Sequence, residues 1–298
     1  MNPNHSSAKK LRLMAVRASL AVAILLLGLK WLGVILTGST ALLATLIDSG
    51  LDLLASAMAM LGVITAARPA DHDHGYGHGK AESISALLQG GLIIGSAGML
   101  TVEAVEHLFT PTPVQEPFVG IGIAAVAIVV SLALVILQKY VIRHTHSPAV
   151  TADSLHYSGD IALNFAVIAA IGLGHLTGQD FWDPLFAMGI AGILVVAAVR
   201  VLRHAFAILM DSELSDKERS RIREIAASDP CVQSVRSLRT RSDGHKPFIE
   251  LTVSLKGSLT LNEAHDIADA IELRLEQIMP GAEIHIHQEP EKDQESVV

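Results

Sequence analysis

The sequence predicts a membrane protein in two parts: an all-α transmembrane domain of six helices, then a C-terminal α+β domain of α-β-β-α-β order. Three observations predict it. Half of the 298 residues are hydrophobic and 17% are charged, with a mean hydropathy of +0.44, too apolar for an ordinary soluble domain. Six apolar runs, near residues 14–36, 41–66, 84–108, 118–142, 149–173 and 181–206, are each long enough to cross about 30 Å of hydrocarbon. After residue 208 the chain turns polar and its hydrophobic period changes. The expected organisation is an N-terminal tail (1–12), a six-span domain (13–208), a second domain (209–290) and an acidic C-terminal tail (291–298).

The first run opens behind Lys9, Lys10, Arg12 and Arg17, a basic start that imitates a secretory signal. Lys30 interrupts the run, no small-residue cleavage site follows, and further spans come at once, so it reads as the first helix. Lys30 is expected to snorkel near the outer end of that helix. In the third run Gly91 and Gly95 form a small-xxx-small pair suited to close helix approach, within the chain or between two chains. Arg68 and Lys80 lie in the second connection, Lys139 and Arg143 close the fourth run, and Arg200 and Arg203 close the sixth. The connections around Gly38, 111–117 and 174–180 carry no Lys or Arg. By the positive-inside rule both termini face the cytoplasm.

In the C-terminal part, Ser215 with Glu218 and Thr260 with Glu263 are capping-box signatures, each opening a helical pattern. Between them Ile249, Leu251, Val253 and Leu255 alternate with outward residues as a half-buried strand does, after a turn at Ser242-Asp-Gly244. Pro280-Gly281 ends the second helix, and 283–288 reads as a closing strand. Helices packed on one small sheet follow from this order.

A formal net charge of -8 argues against nucleic acid, which would call for a basic stripe, while 14 histidines point toward metal chemistry. The single cysteine, Cys231, excludes an intrachain disulfide framework and any Cys-rich zinc cluster. Ligands are then imidazole and carboxylate, which suit Zn(II), Fe(II), Co(II), Mn(II) or Cd(II) better than Cu(I).

The strongest chemical signal is Asp48-Ser-Gly-Leu-Asp52, two carboxylates in the middle of an apolar run. Each ionised Asp near the centre of a span costs on the order of 2.5 to 3.5 kcal/mol on insertion scales, so such residues mark a function by default. Four-residue spacing stacks them on one helix face, and His156-Tyr-Ser-Gly-Asp160 in the fifth run has the same spacing. Side by side, the two helices would converge three carboxylates and an imidazole, a tetrahedral metal site. A buried polar network tying the helices together is the plainer alternative, but these four groups are short of hydrogen-bond donors unless protons or a cation fill the site. Ser49 and Asn164 sit close enough to support the ligands. The loop Asp71-His-Asp-His-Gly-Tyr-Gly-His78 is either solvated or a second site, with Asp71, His74 and His78 closing on one ion where the glycines let the backbone fold back. In the C-terminal domain His285, His287 and Glu289 share a strand face, and His265 on the second helix would complete a His265, His287 and Glu289 site.

With these stretches the chain resembles the cation diffusion facilitator family, and within it the bacterial zinc and ferrous-iron efflux subgroup. The markers are Asp48-xxx-Asp52, Asp71-His-Asp-His-Gly-Tyr-Gly-His-Gly-Lys-Ala-Glu82, Ala152-Asp-Ser-Leu-His-Tyr-Ser-Gly-Asp160, Leu238-Arg-Thr240 and Ile286-His-Gln-Glu-Pro290. The resemblance implies a homodimer in the inner membrane, each subunit carrying six helices and a cytoplasmic ferredoxin- or metallochaperone-like domain. It implies a transporter, not an enzyme, with no prosthetic group: cytoplasmic divalent metal leaves in exchange for external protons by alternating access. Zn(II) is the first expectation for the metal. The transport site maps onto Asp48, Asp52, His156 and Asp160, the loop site onto Asp71, His74 and His78, and an interlock onto Lys80 with Asp211. The sequence departs from the subgroup where Arg236 and Thr252 stand at histidine positions of a two-metal cytoplasmic site and Glu289 at a bridging aspartate. His265, His287 and Glu289 remain, with His245 and His285 as substitutes, so fewer or weaker ions are expected there. The rival class is a membrane metal sensor signalling through its cytoplasmic domain. An intramembrane metallohydrolase needs an open metal position with a base beside it, and no His-Glu-x-x-His helix is present.

Overall fold

The computed structural model describes residues 3–37, 40–109, 117–178 and 181–291, so the acidic tail beyond 291 lies outside the described residues. Six helices come first: α1 (Pro3–Thr37), α2 (Thr40–Ala66), α3 (Ala81–Phe109), α4 (Pro117–Thr145), α5 (Pro148–Thr177) and α6 (Trp182–Leu209). All six are long and apolar enough to cross a membrane, and many of their large apolar side chains, Trp31, Ile35, Val129 and Ile193 among them, are exposed as lipid contact requires. Residues 3–12, expected as a tail, form the first turns of α1. Lys9 Nζ donates to the Ala67 carbonyl at the end of α2 (3.0 Å), and Arg12 Nη1 reaches Glu82 Oε1 at the start of α3 (3.1 Å). These contacts hold that stretch in the bundle.

Local chemistry sets the α4–α5 corner. His146, at φ 50, leaves α4, and Ser147 caps α5 by accepting from Val150 N (3.3 Å) with Pro148 at the first turn. The Ser147 hydroxyl also donates to the buried Glu82, joining the N-termini of α3 and α5. Close helix contact falls at Gly62, Gly90 and Gly159. A Cβ there would sit 2.5 Å from Ser85 Cβ, 2.8 Å from Leu202 and 2.8 Å from Leu194 respectively. Gly91 and Gly95, expected as an approach pair, lie on an exposed face of α3 and would meet nothing within 4 Å; the intrachain alternative is therefore corrected.

The C-terminal unit has the expected order: α7 (Asp216–Ala227), β1 (Val232–Ser242), β2 (Pro247–Leu255), α8 (Leu261–Ile278) and β3 (Glu283–Pro290). Both capping boxes form. The β1–β2 pair is antiparallel, turning where Gly244 takes φ 97, and β2–β3 is parallel across α8. Ile249, Leu251, Val253 and Leu255 enter the core with Ile222, Ala226, Ile271 and Leu275. The chain divides into two compact units, residues 1–206 and 207–298, with the boundary in the last turn of α6.

Candidate metal centre

Asp52, on α2, and His156 and Asp160, one turn apart on α5, bring one ligand atom each within 4.8 Å of one another. His156 Nε2 is 2.8 Å from Asp52 Oδ1 and 4.0 Å from Asp160 Oδ2. The imidazole is 10% exposed, so this nitrogen is held among carboxylates inside the bundle. As an N–H it donates to Asp52; as a metal ligand it offers the lone pair instead, so a cation takes the place of that proton. Asp48 lies on α2 one turn before Asp52, but its side chain lies outside the described residues. The supporting partners differ from expectation. Asn164 donates to the Asp160 backbone carbonyl (2.7 Å), a bond that steadies the helix turn below the ligand. Ser49 Oγ is buried with no hydrogen-bond partner among the described residues.

The triad lies at the floor of a cavity of about 350 Å³. Its lining residues follow Ser19 on α1 and Asp153 on α5, and precede Ser56 on α2 and Gln138 on α4, so it occupies the half of the bundle nearer the α1–α2 connection. The opposite half is packed. Ser56, one turn beyond Asp52, bonds Ser19 Oγ at 2.9 Å and the Tyr157 hydroxyl at 3.0 Å. Tyr157 donates to the Ser19 carbonyl (3.2 Å), and Gln138 Nε2 donates to the fully buried Asp153 (2.7 Å). Arg12, Glu82 and Ser147 lie further toward the chain's N-terminal end. Among the described residues the triad thus has a cavity on one side and packed, hydrogen-bonded side chains on the other.

Lys30 and Glu103 line the same cavity. Lys30, expected to snorkel, shares the cavity wall with the triad, and Glu103 carried no expectation. A signal existed for Lys30: it follows Ser19 by eleven residues, three turns, which returns it to the interior face of α1.

The α2–α3 connection makes a second cluster. Asp71, His74 and His78 each offer a ligand atom within 4.8 Å of the others. His74 Nδ1 lies 3.3 Å from Asp71 Oδ1 and His78 Nε2 lies 3.2 Å from Asp71 Oδ2. Asp71 Oδ1 also accepts from the backbone N–H of His74 (2.8 Å) and Asp73 (3.1 Å), an Asx turn. The His74 N–H, with His78 and the Asp73 N–H behind it, holds the Asp71 carboxyl below its ordinary value. Gly77 at φ 87 turns the chain back so that His78 meets Asp71. His78 Nδ1 faces the Pro69 carbonyl at 3.1 Å and donates to it, so Nε2 is the nitrogen turned to Asp71 and the one available to an ion.

The C-terminal unit gathers part of its expected site. His287 Nε2 lies 3.7 Å from Glu289 Oε1, but the other Glu289 oxygen is held by Arg236 Nε at 3.6 Å. His265 pairs along its own helix with Asp269 (3.6 Å) and is not gathered with the other two. Ser237 and Thr252 hydrogen-bond across β1–β2 at 2.9 Å. Of the expected interlock pair, Lys80 precedes α3 in the first unit and Asp211 follows α6 in the second, where Arg241 Nη1 lies 3.4 Å from its carboxylate.

Comparison with known proteins agrees with this anatomy. A family model for the cation efflux transmembrane domain matches residues 16–210, and one for the cation efflux protein cytoplasmic domain matches 214–291. The cation-efflux pump FieF of Shewanella oneidensis is 43% identical over 277 residues, 93% of each chain. That of Pectobacterium atrosepticum is 41% identical over 290 residues, 97% of this chain and 95% of its own. A solved MamM CTD variant in a nickel form is 22% identical with a TM-score of 0.25, covering 26% of this chain and 100% of that one.

Proposed function

The chain belongs to the cation efflux family, a transporter and not an enzyme, and from that premise we propose that it exports a divalent metal ion in exchange for protons by alternating access. The substrate is Zn(II) first, with Fe(II), Cd(II), Co(II) and Mn(II) as competitors. The observation that carries the reading is the triad on α2 and α5, with a cavity on one side and packed side chains on the other among the described residues. A carrier needs such a site to face each side in turn; an enzyme would leave a metal position open to substrate. With Asp48 as fourth ligand the quartet saturates a tetrahedral ion.

In this reading both termini, the loop cluster and the C-terminal domain are on the cytoplasmic side of a bacterial inner membrane, and the cavity faces outward. Metal entering from the cytoplasm displaces the His156 Nε2 proton and any on the carboxylates. Protons arriving through the outer cavity displace the metal. His156 is the natural carrier, because its Nε2 holds either a proton or the ion and not both. The loop cluster receives ions from the cytoplasm, and a second copy of the chain completes a homodimer through the C-terminal domain.

The test is flux in proteoliposomes loaded with a metal-sensitive dye. Zinc flux is expected to follow the sign of an imposed pH gradient and to vanish when an ionophore collapses it. Flux indifferent to pH removes the proton exchange, and binding without flux for any of the five metals replaces the transporter with a sensor.

A further inference from the structure

Lys30 has no part in the exchange described above, yet it shares the cavity with Asp52, His156 and Asp160. Ser19 is fully buried against Ser56, and Lys30 continues its face of α1 about 16 Å further along. Asp52 precedes Ser56 by four residues on the antiparallel α2, about 6 Å in the same direction. Lys30 therefore roots about 10 Å beyond the ligands, toward the open end. Helical side chains lean toward the N-terminus of their own helix, which on α1 is toward the ligands. Glu103, on the outer stretch of α3, offers a carboxylate in the same space.

We propose that Lys30 is the resident counter-cation of the transport site: its ammonium turns onto the carboxylates as the metal leaves and onto Glu103 when a metal arrives. Ionised carboxylates stripped of their cation inside a membrane are costly and demand a partner. An ammonium suits this task because it has three donors and no lone pair, so it neutralises the ligands without binding the metal itself. Its four-carbon stem lets it move between the two positions. Lys30 then competes with the ion, which lowers affinity on the open side and hastens release. The inference rests on the quartet being the transport site, and Lys30 acts as a positioning residue for the ligands.

The test uses the full chain with Zn(II) as probe. The quantities are equilibrium binding, taken as the component lost in Asp52→Ala, and zinc flux in proteoliposomes. Lys30→Met is expected to bind zinc on the order of tenfold tighter, with KM and maximal flux both lowered, while Lys30→Arg stays near the parent. Binding and flux within twofold of the parent, or weaker binding, overturn the proposal; Lys30→Gln answers the same question if Lys30→Met fails to fold. Glu103→Gln is expected to weaken zinc binding in the parent and to lose that effect beside Lys30→Met. An effect that persists there means Glu103 acts on the ion directly and overturns its part. If zinc binding and flux do not depend on Asp52 at all, the transport reading fails. If they do and Lys30→Met is silent, the counter-cation alone fails.

Discussion

In the membrane unit an aspartate–histidine cluster is assembled across two helices, Asp52 reaching His156 from 104 positions away with the imidazole 10% exposed. In the α2–α3 connection Asp71, His74 and His78 meet within one short loop, and the Asp71 and His74 side chains are 53% and 61% exposed. The donor types are the same and the settings differ, with two of the three loop side chains exposed and only His78, at 11%, as covered as His156. Ligands on packed helices keep their geometry when the ion leaves, and their charges then sit in apolar surroundings. Loop ligands relax, and water replaces the ion at little cost. The buried cluster therefore suits tight, proton-coupled carriage and the loop cluster suits rapid exchange.

The sharpest way to break that contrast is His156→Ala. It is expected to weaken binding at the buried cluster by about a hundredfold or more and to abolish flux, measured by competition with a chelating dye; retained flux would put the carrier site elsewhere. Next in size is Gly159→Val, which drives a side chain into Leu194 beside Asp160. A cost of about 1 to 3 kcal/mol is expected, seen as a lower unfolding temperature in detergent with the ligand set intact. An unchanged unfolding temperature would mean that α6 is not packed on α5 as described.

Smaller effects are expected in the loop. Asp71→Asn should weaken loop binding on the order of tenfold while leaving maximal flux unchanged. The Asp71 carboxyl is held below its ordinary value, so its ionised form persists as pH falls through the usual carboxylate range and is lost only below it. In an Asp52→Ala background, a pH titration of the Asp71 carboxyl by NMR should find its midpoint below the ordinary carboxylate value; a midpoint at or above that value would contradict the turn described. Smallest is Gly77→Ala, which places a side chain at φ 87. A penalty of about 1 kcal/mol should cost a few-fold in loop affinity and nothing at the buried cluster.

Periodicity made much of this legible. Four-residue spacing inside apolar runs located Asp52, His156 and Asp160, because a helix fixes which residues share a face, and both capping boxes formed as read. The loop triad was legible because its ligands and glycines are neighbours in the chain. Pairings between distant residues were not. Arg12 with Glu82, Gln138 with Asp153, and Ser19 with Ser56 and Tyr157 seal one half of the bundle, and no local pattern announces a partner tens of residues away. His265 failed to join His287 and Glu289 because its place on α8 sets it beside Asp269, while Arg236 takes the glutamate. The sequence reading placed Lys30 near the outer end of α1 but did not follow its helical phase with Ser19, which puts it on the cavity side.

The claim that the buried cluster carries the ion and the loop cluster feeds it is tested most directly by zinc flux at saturating concentration in proteoliposomes holding Asp52→Ala or Asp71→Ala. The expected result is no flux in the first at any zinc concentration, and full maximal flux with a raised KM in the second. Flux surviving in Asp52→Ala, or lost at saturation in Asp71→Ala, would contradict it.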